Sequence, residues 1–323
     1  MSQILVAGGA GYIGSHTVKE LRARGYDAVV FDDLSSGRRD FVRGAELVTG
    51  DLMHKDAVRD AFRGRSIAAV LHFASLIQVG ESYAHPRKYY TRNLVTSLNL
   101  LDAAIDAGVR AFIFSSSAAV YGIPQRIPVD EDHPTAPINP YGWTKLMVER
   151  ILQDYDRAYG LKFISLRYFN ASGADPDGEM GECHDPETHL IPNILRALSG
   201  RQEALDIYGQ DFPTPDGTAV RDYIHVTDLA AAHVLALQRL AAEPRSEFIN
   251  LGTNRGYSVR EVVTAAERIA GRAVPVRMRP RREGDVPVLL ASKAKAERVL
   301  GWSPRLSDLE TIIATARRWL EKV

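Results

Sequence analysis

Apolar residues in the first half of the chain fall into short unbroken runs. ILVA (4–7), AVVF (28–31), AVLHFA (69–74), AFIFS (111–115) and FISLR (163–167) are each four to six residues long. Apolar side chains at consecutive positions bury both faces of a strand, as in the interior of a parallel sheet. Between these runs the period lengthens. One helix is predicted from Gly11 to Gly25, with the second glycine at the C-cap. Another is predicted from Pro86 to Gly108, where Leu94, Leu98, Leu101 and Ile105 recur at three- and four-residue steps. A third runs from Tyr141 to Tyr159. Such alternation defines an α/β fold with a doubly wound parallel sheet.

After Arg167 the rhythm breaks. Residues 170–218 are rich in Gly, Pro, Asp and His, with one helix expected near 192–198. Unstructured stretches of that length inside a compact protein are usually functional. Ser258–Glu261 and Ser307–Glu310 each have the spacing of a capping box at a helix start. A length of 323 residues suggests about two domains. The boundary is expected near 168. Residues 1–167 would form a nucleotide-binding Rossmann domain and 168–323 a smaller mixed α/β domain, the chain being free to cross back.

Charge narrows the partners. Forty basic and forty acidic residues cancel, leaving no excess to neutralise a nucleic-acid backbone. No run of eighteen apolar residues is long enough to span a membrane. The start, MSQILVAGGAGYIG, lacks the basic flank of a signal peptide, and a lone cysteine, Cys183, suits a reducing compartment. A cytoplasmic protein without nucleic-acid or membrane partners is expected.

The strand ILVA leads into Gly8, Gly11 and Gly14 at G-x-x-G-x-x-G spacing, and a helix follows. Glycines there permit a tight turn, close approach of a pyrophosphate and packing of helix on strand, while the helix N-terminus offers free N–H groups. Asp32 ends the next strand, eighteen residues beyond Gly14. A carboxylate at that place accepts from both ribose hydroxyls and repels a 2′-phosphate, favouring NAD; Arg38 and Arg39 nearby keep NADP as the minor option.

Tyr141 and Lys145, four apart at the start of a predicted helix, share one helical face. A free tyrosine is a poor base at neutral pH, and a lysine cation beside it should lower its pKa enough for proton transfer. Ser115, Ser116 and Ser117 close the strand AFIFS, at the carboxyl edge where such sheets bind ligands.

GGAGYIGSHT, HFASLIQVGES, FSSSAAVYG, NPYGWTKLMVE, LRYFNASGA, FPTPDGTAVRDYIHVTDLA and RREGDVP together resemble the extended short-chain dehydrogenase/reductase family, in its NAD-dependent epimerase/dehydratase branch, over nearly the whole chain. The resemblance implies an isomerase: reversible 4-epimerisation of UDP-glucose and UDP-galactose through a 4-keto sugar, using tightly bound NAD, in a homodimer. It implies catalytic roles for Tyr141, Lys145 and Ser117. By the same resemblance NAD would lie against Gly8, Gly11, Tyr12, Ile13, Gly14, Asp32, Asp33, Leu34, Ser35, Ser36, Asp51, Leu52, Phe73, Ala74, Ser75, Asn93, Ser115, Tyr141, Lys145 and Tyr168. The UDP-sugar would lie against Ser117, Tyr141, Asn170, His189, Leu190, Tyr208, Arg221, Arg282, Asp285 and Leu289. Arg221 and Arg282 have the guanidinium forks that suit a diphosphate.

Departures from the family pattern fall at Ile77, where many relatives carry lysine, at His189 in place of asparagine, and at Leu289, a gatekeeper position at the sugar pocket. A 4,6-dehydratase would need an Asp–Glu pair where Ser116, Ser117, Ala118 and Ala119 stand, and a decarboxylase a glutamate at Ala119. UDP-pentose or UDP-N-acetylhexosamine epimerisation stays open, as does a non-catalytic NAD-sensing relative. Glu182, Cys183, His184, Asp185 and His189 have metal-ligating side chains, but their spacing matches no closed zinc site, so no metal is expected.

Overall fold

The computed structural model describes residues 2–282 and 284–323. The first half alternates β1 (Gln3–Ala7), α1 (Tyr12–Ala23), β2 (Asp27–Asp32), β3 (Glu46–Thr49), α2 (Lys55–Phe62), β4 (Ile67–His72), α3 (Val79–Ala84), α4 (Pro86–Asp106), β5 (Ala111–Ser115), α5 (Pro140–Tyr159) and β6 (Lys162–Tyr168). The second half runs through β7 (Asn170–Ser172), α6 (Leu190–Leu198), β8 (Leu205–Tyr208), β9 (Val220–Arg221), β10 (Tyr223–His225), α7 (Val226–Ala242) and β11 (Glu247–Leu251). It ends with β12 (Tyr257–Ser258), α8 (Val259–Ala270), β13 (Val276–Arg279), β14 (Val288–Leu289), α9 (Ala294–Leu300) and α10 (Leu309–Leu320).

Seven strands form one sheet in the order β11-β6-β5-β4-β1-β2-β3. Every pairing in it is parallel. The apolar runs sit in its centre because both faces are covered. Val6, Val30, Leu71, Ile113 and Ile164 pack on one side with residues of α1 and α7. Leu5, Val29, Val70, Phe112 and Phe163 pack on the other with residues of α2, α4 and α5.

Both edge strands escaped the sequence pattern. In β3 no residue of ELVT is fully buried, its ends being exposed and its centre half-covered, and β11 carries a fully buried Asn250. Because β11 pairs with β6, the chain returns to the large sheet after residue 168, with α7 as the connecting helix. The rest of the second half forms three small sheets and a separate core around Ile191, Leu195, Ile207, Val262 and Ile312. Of the two expected capping boxes, the first is present: the Glu261 amide donates to Ser258 Oγ at 3.0 Å and the Ser258 amide to Glu261 Oε2 at 2.7 Å. The second is not formed, and the cap lies one residue further on. Asp308 caps α10 by accepting from the Thr311 amide, while Ser307 Oγ donates to Asp228. An anionic cap is the better acceptor for a helix N-terminus, and the serine is drawn off by a buried carboxylate.

One buried ion pair fixes the helix that carries the tyrosine. Glu149 of α5 and Arg167 of β6 meet in a two-bond fork at 2.6 and 2.9 Å, with side chains 2% and 5% exposed. Ser116 and Ser165 donate to Glu149, and Arg167 donates to the Tyr121 hydroxyl, which donates to Asn250 of β11. All the polar groups of the cluster are thereby engaged, the condition under which a buried charge pair is tolerated.

Candidate active site

A cavity of about 950 Å³ runs along the carboxyl edge of the large sheet and into the second core. At one end β1 turns into the glycine loop. Gly8 has φ +80°, and a Cβ there would press on the Ala74 backbone. A Cβ on Gly14 would run into the Gly8 carbonyl. These two glycines are required by closeness of backbone, not by chance composition. Gly11 is the N-cap of α1 and makes no side-chain capping bond, nor does the first turn carry an acidic residue. The free N–H groups and positive end of that helix therefore face the cavity, an arrangement that suits a pyrophosphate. Asp32 is 8% exposed and accepts from the Ala10 amide at 2.9 Å and the Leu34 amide at 2.8 Å. Burial pushes its carboxyl above the usual range, partly offset by those two amides. Each oxygen keeps a lone pair for a ribose hydroxyl. The residues present thus fit a dinucleotide.

Of the residues expected around NAD, Leu34 and Asn93 stand off the cavity wall. Leu34 sits at φ +59° and serves the turn that Asp32 closes. Asn93 is buried, accepting from the Leu76 amide and donating to the Leu76 carbonyl and Thr144 Oγ1, so it clasps the segment after β4 to α5. The remaining expected residues line the wall. Arg92 was not foreseen. Its guanidinium bridges Asp33 at 2.5 Å and Asp51 at 2.8 Å beside the cavity. Although burial works the other way, the Met53 amide and Arg92 hold the Asp51 carboxyl below its ordinary value. No local pattern announces Arg92; only the fold brings it between two carboxylates forty-one and fifty-nine positions away.

Tyr141 and Lys145 enter the middle of the cavity. Asn139 caps α5 by accepting from the Gly142 amide at 2.7 Å, and Pro140 opens the helix, so the register of the pair is fixed from its first turn. Lys145 Nζ donates to the Ser115 carbonyl at 2.8 Å and lies 5.8 Å from the Tyr141 ring centroid. Ser115 Oγ and the Tyr168 hydroxyl share a 2.5 Å hydrogen bond. Burial pushes the Tyr141 hydroxyl up to about 12, opposed by a hydrogen bond with Ser117. Burial also lowers Lys145 to about 7, opposed by Glu149. The expected lowering of the tyrosine by its lysine is therefore not achieved by the protein's own groups. Desolvation dominates both.

Toward the other end stand Asn170, Leu190, Tyr208, Arg221, Arg282, Asp285 and Leu289, all on the wall as expected. Register explains two of them: Leu289 of β14 pairs with Arg221 of β9. Arg282 donates to Asp285 at 3.1 Å and lies 4.8 Å above the Tyr208 ring. Arg221 is half-buried without a close carboxylate, its nearest contact to Asp285 being 4.0 Å. His189 precedes α6 as its N-cap. Around it Glu182, His184 and Glu187 also face the cavity; Glu182, His184 and His189 are among the metal-type side chains marked in the sequence, and Glu187 is not. Although burial opposes it, the histidines hold the Glu182 carboxyl down to about 2. Glu182 and Glu187 likewise outweigh burial and hold His189 up to about 10.

A doubly wound sheet with this loop, this carboxylate and a buried Tyr–Lys pair defines a dinucleotide-dependent enzyme of the Rossmann type. The chain belongs to the NAD dependent epimerase/dehydratase family, whose model matches residues 4–252. It is 48% identical to a UDP-glucose 4-epimerase of Rhizobium meliloti (strain 1021), over 98% of this chain and 97% of that protein. Among solved structures, a Brucella ovis UDP-glucose 4-epimerase in complex with NAD superposes with a TM-score of 0.96 at 51% identity, covering 98% of both chains. A Bifidobacterium longum UDP-glucose 4-epimerase in complex with NAD+ and UDP gives 0.94 at 38% identity, covering 99% of this chain and 98% of that one. Among the described residues, no helix is long and apolar enough to cross a membrane.

Proposed function

We propose that the chain interconverts UDP-glucose and UDP-galactose by inverting carbon 4 of the sugar. The observation that carries this reading is one continuous cavity, which joins the glycine loop to Arg221 and Arg282 and takes in Tyr141, Lys145 and Ser117. NAD held by Gly8, Gly11, Gly14, Asp32 and their neighbours would supply reversible hydride acceptance, returned within each turnover. Tyr141 takes the proton from the 4-hydroxyl and later returns it to the same oxygen, once the 4-keto sugar has turned its other face for the returning hydride. Ser117 holds the reacting oxygen through its hydroxyl. Lys145, anchored on the Ser115 carbonyl, brings positive charge beside the tyrosine, and the positively charged nicotinamide ring of bound NAD would add what a phenolate at a buried site still requires. Arg221 and Arg282 grip the diphosphate, Asp285 and Asn170 take ribose or sugar hydroxyls, and Leu289 and Leu190 wall the pocket. With the diphosphate held and carbon 4 planar as a ketone, the sugar could present either face to a bound nicotinamide while its 4-oxygen stays within reach of Tyr141.

Residues 1–167 together with α7 and β11 carry the dinucleotide in this reading, and the remaining second half carries the sugar nucleotide. A homodimer is supported by α5, which packs beside α4 and leaves Trp143 and Met147 exposed one turn apart. A cytoplasmic location agrees with the free thiol of Cys183. The test is to mix purified, nucleotide-loaded protein with UDP-galactose and no added NAD, and follow UDP-glucose by NMR. Conversion to an equilibrium mixture is expected; an unchanged UDP-galactose spectrum would remove the assignment.

A further inference from the structure

Residues 182–189 form a loop on the cavity wall whose four ligating side chains converge. One ligand atom from each of Glu182, His184, Glu187 and His189 lies within 4.8 Å of the other three. Glu182 Oε1 receives His184 Nδ1 at 2.9 Å, and His189 Nδ1 lies hard against the same oxygen. A Glu187 oxygen stands 3.4 Å from His189 Nδ1. Hydrogen bonding alone leaves this arrangement incomplete. His189 Nδ1 is a buried atom that abuts carboxylate oxygen without an aligned hydrogen bond. Two imidazole nitrogens and two carboxylates aimed at one point form a nitrogen–oxygen donor set of the kind zinc and its first-row neighbours take. The glutamates are almost sealed, with side chains 6% and 3% exposed, while the rings of His184 and His189 are 20% and 40% exposed and leave an entry from the cavity. Cys183, the more obvious ligand from sequence, is turned away and packs with Phe41 and Trp319.

Outer contacts hold these side chains in position. The Trp319 indole donates to the Glu182 carbonyl at 3.0 Å, the amides of Thr188 and His189 donate to Glu187 Oε1, and the Tyr12 ring meets the His184 ring edge-on. Such outer contacts orient the ligands of established metal centres. We propose that Glu182, His184, Glu187 and His189 bind one divalent transition ion of the zinc class, which fastens the 182–189 loop to the wall between Tyr12 and α6. No part of the proposed proton transfer uses the ion, so the inference stands apart from the epimerase reading.

The full-length protein, treated with chelator and dialysed, is titrated with Co2+ while its visible d–d absorption is recorded, and Zn2+ is then added. One equivalent of Co2+ per chain should give a saturable band that one equivalent of Zn2+ abolishes. H184Q and E182Q should each weaken binding by more than the roughly tenfold lost with an outer partner, whereas H54Q, at an exposed histidine, should not. Excess Zn2+ should raise the thermal midpoint of the parent protein and not that of H184Q. The partly exposed ring of His184 keeps this arm independent of any folding defect in E182Q. Absence of a saturable band in the parent protein overturns the proposal. So does unchanged Co2+ affinity in H184Q, or an equal thermal shift in both proteins.

Discussion

The two ends of the cavity are made of different material. At the dinucleotide end the ligand-facing surface is largely backbone: two glycines that admit no Cβ, the open N-terminus of α1, and one carboxylate anchored on the Ala10 and Leu34 amides. At the sugar end it is side chain, with Arg221, Tyr208, Arg282, Asp285 and Leu289 drawn from separate strands and loops. A backbone site is rigid and reads only shape and charge common to all dinucleotides. A side-chain site can be retuned one residue at a time, which is where substrate choice should reside. Tyr141 and Lys145 stand at the junction.

The junction gives the largest effect. Tyr141→Phe keeps the ring but removes the oxygen that carries the proton, so turnover should fall by about a hundred- to ten-thousand-fold while calorimetric UDP binding stays nearly unchanged. Near-parent turnover would show that the proton moves through another group. At the backbone end, Asp32→Ala should weaken NAD by roughly ten- to a hundredfold, since a hydrogen bond to a charged group is worth about 1.5–3 kcal/mol. Nucleotide released per chain on denaturation measures this, and release of NADP from the parent protein would reverse the ribose argument.

At the side-chain end, Leu289→Ala should shift preference toward UDP-N-acetyl sugars by tens of fold, because a few apolar atoms discriminate by only about 1–3 kcal/mol. The ratio of kcat/KM for UDP-galactose and UDP-N-acetylgalactosamine reads the shift. Equal ratios in both proteins would remove Leu289 from the sugar pocket.

The smallest effect per step is titration beneath the dinucleotide end. Burial lowers His72 to about 3 and His16 and His233 to about 4, and each keeps one buried ring nitrogen without a hydrogen-bond partner. An unfolded histidine titrates near 6.5, so below that pH the unfolded chain binds protons the folded one refuses. Stability is then full above about 6.5 and falls as pH drops toward 4, by up to about 1.4 kcal/mol per pH unit for each ring. Urea midpoints between pH 7 and 5 should show this fall, and His233→Gln should flatten it. A His233→Gln profile parallel to that of the parent protein would mean that this ring takes up its proton alike in the folded and unfolded chain.

The same contrast decides what could be read from sequence. The five central strands, the three long helices and the glycine loop are local patterns, in which burial on both faces or a backbone approach leaves a mark within a dozen residues. The edge strands β3 and β11 were invisible because an edge is half covered and its pairing is set from far along the chain. The sugar-end residues came only through family resemblance, since nothing in their own neighbourhoods places Arg221 near Asp285. Arg92 came only from the fold, as did the joining of Glu187 to Glu182, His184 and His189, whose metal-type side chains the sequence had marked. The opposed displacements of Tyr141 and Lys145 come from burial, which residue spacing does not express.

The Glu149–Arg167 pair constrains how this chain can diverge. Removing either partner leaves a charge buried and unmatched, at a cost of about 3–5 kcal/mol, a large share of the stability of an ordinary domain. Exchanging both for well-packed apolar residues would avoid that charge but strand the hydroxyls of Ser116 and Ser165 that now donate to Glu149. No single substitution leads out of this arrangement without loss, and a viable route must alter several of these positions together. The helix bearing Tyr141 therefore rests on a foundation that a stepwise neutral walk through sequence space cannot dismantle, while Leu289 at the sugar end lies open to change one residue at a time.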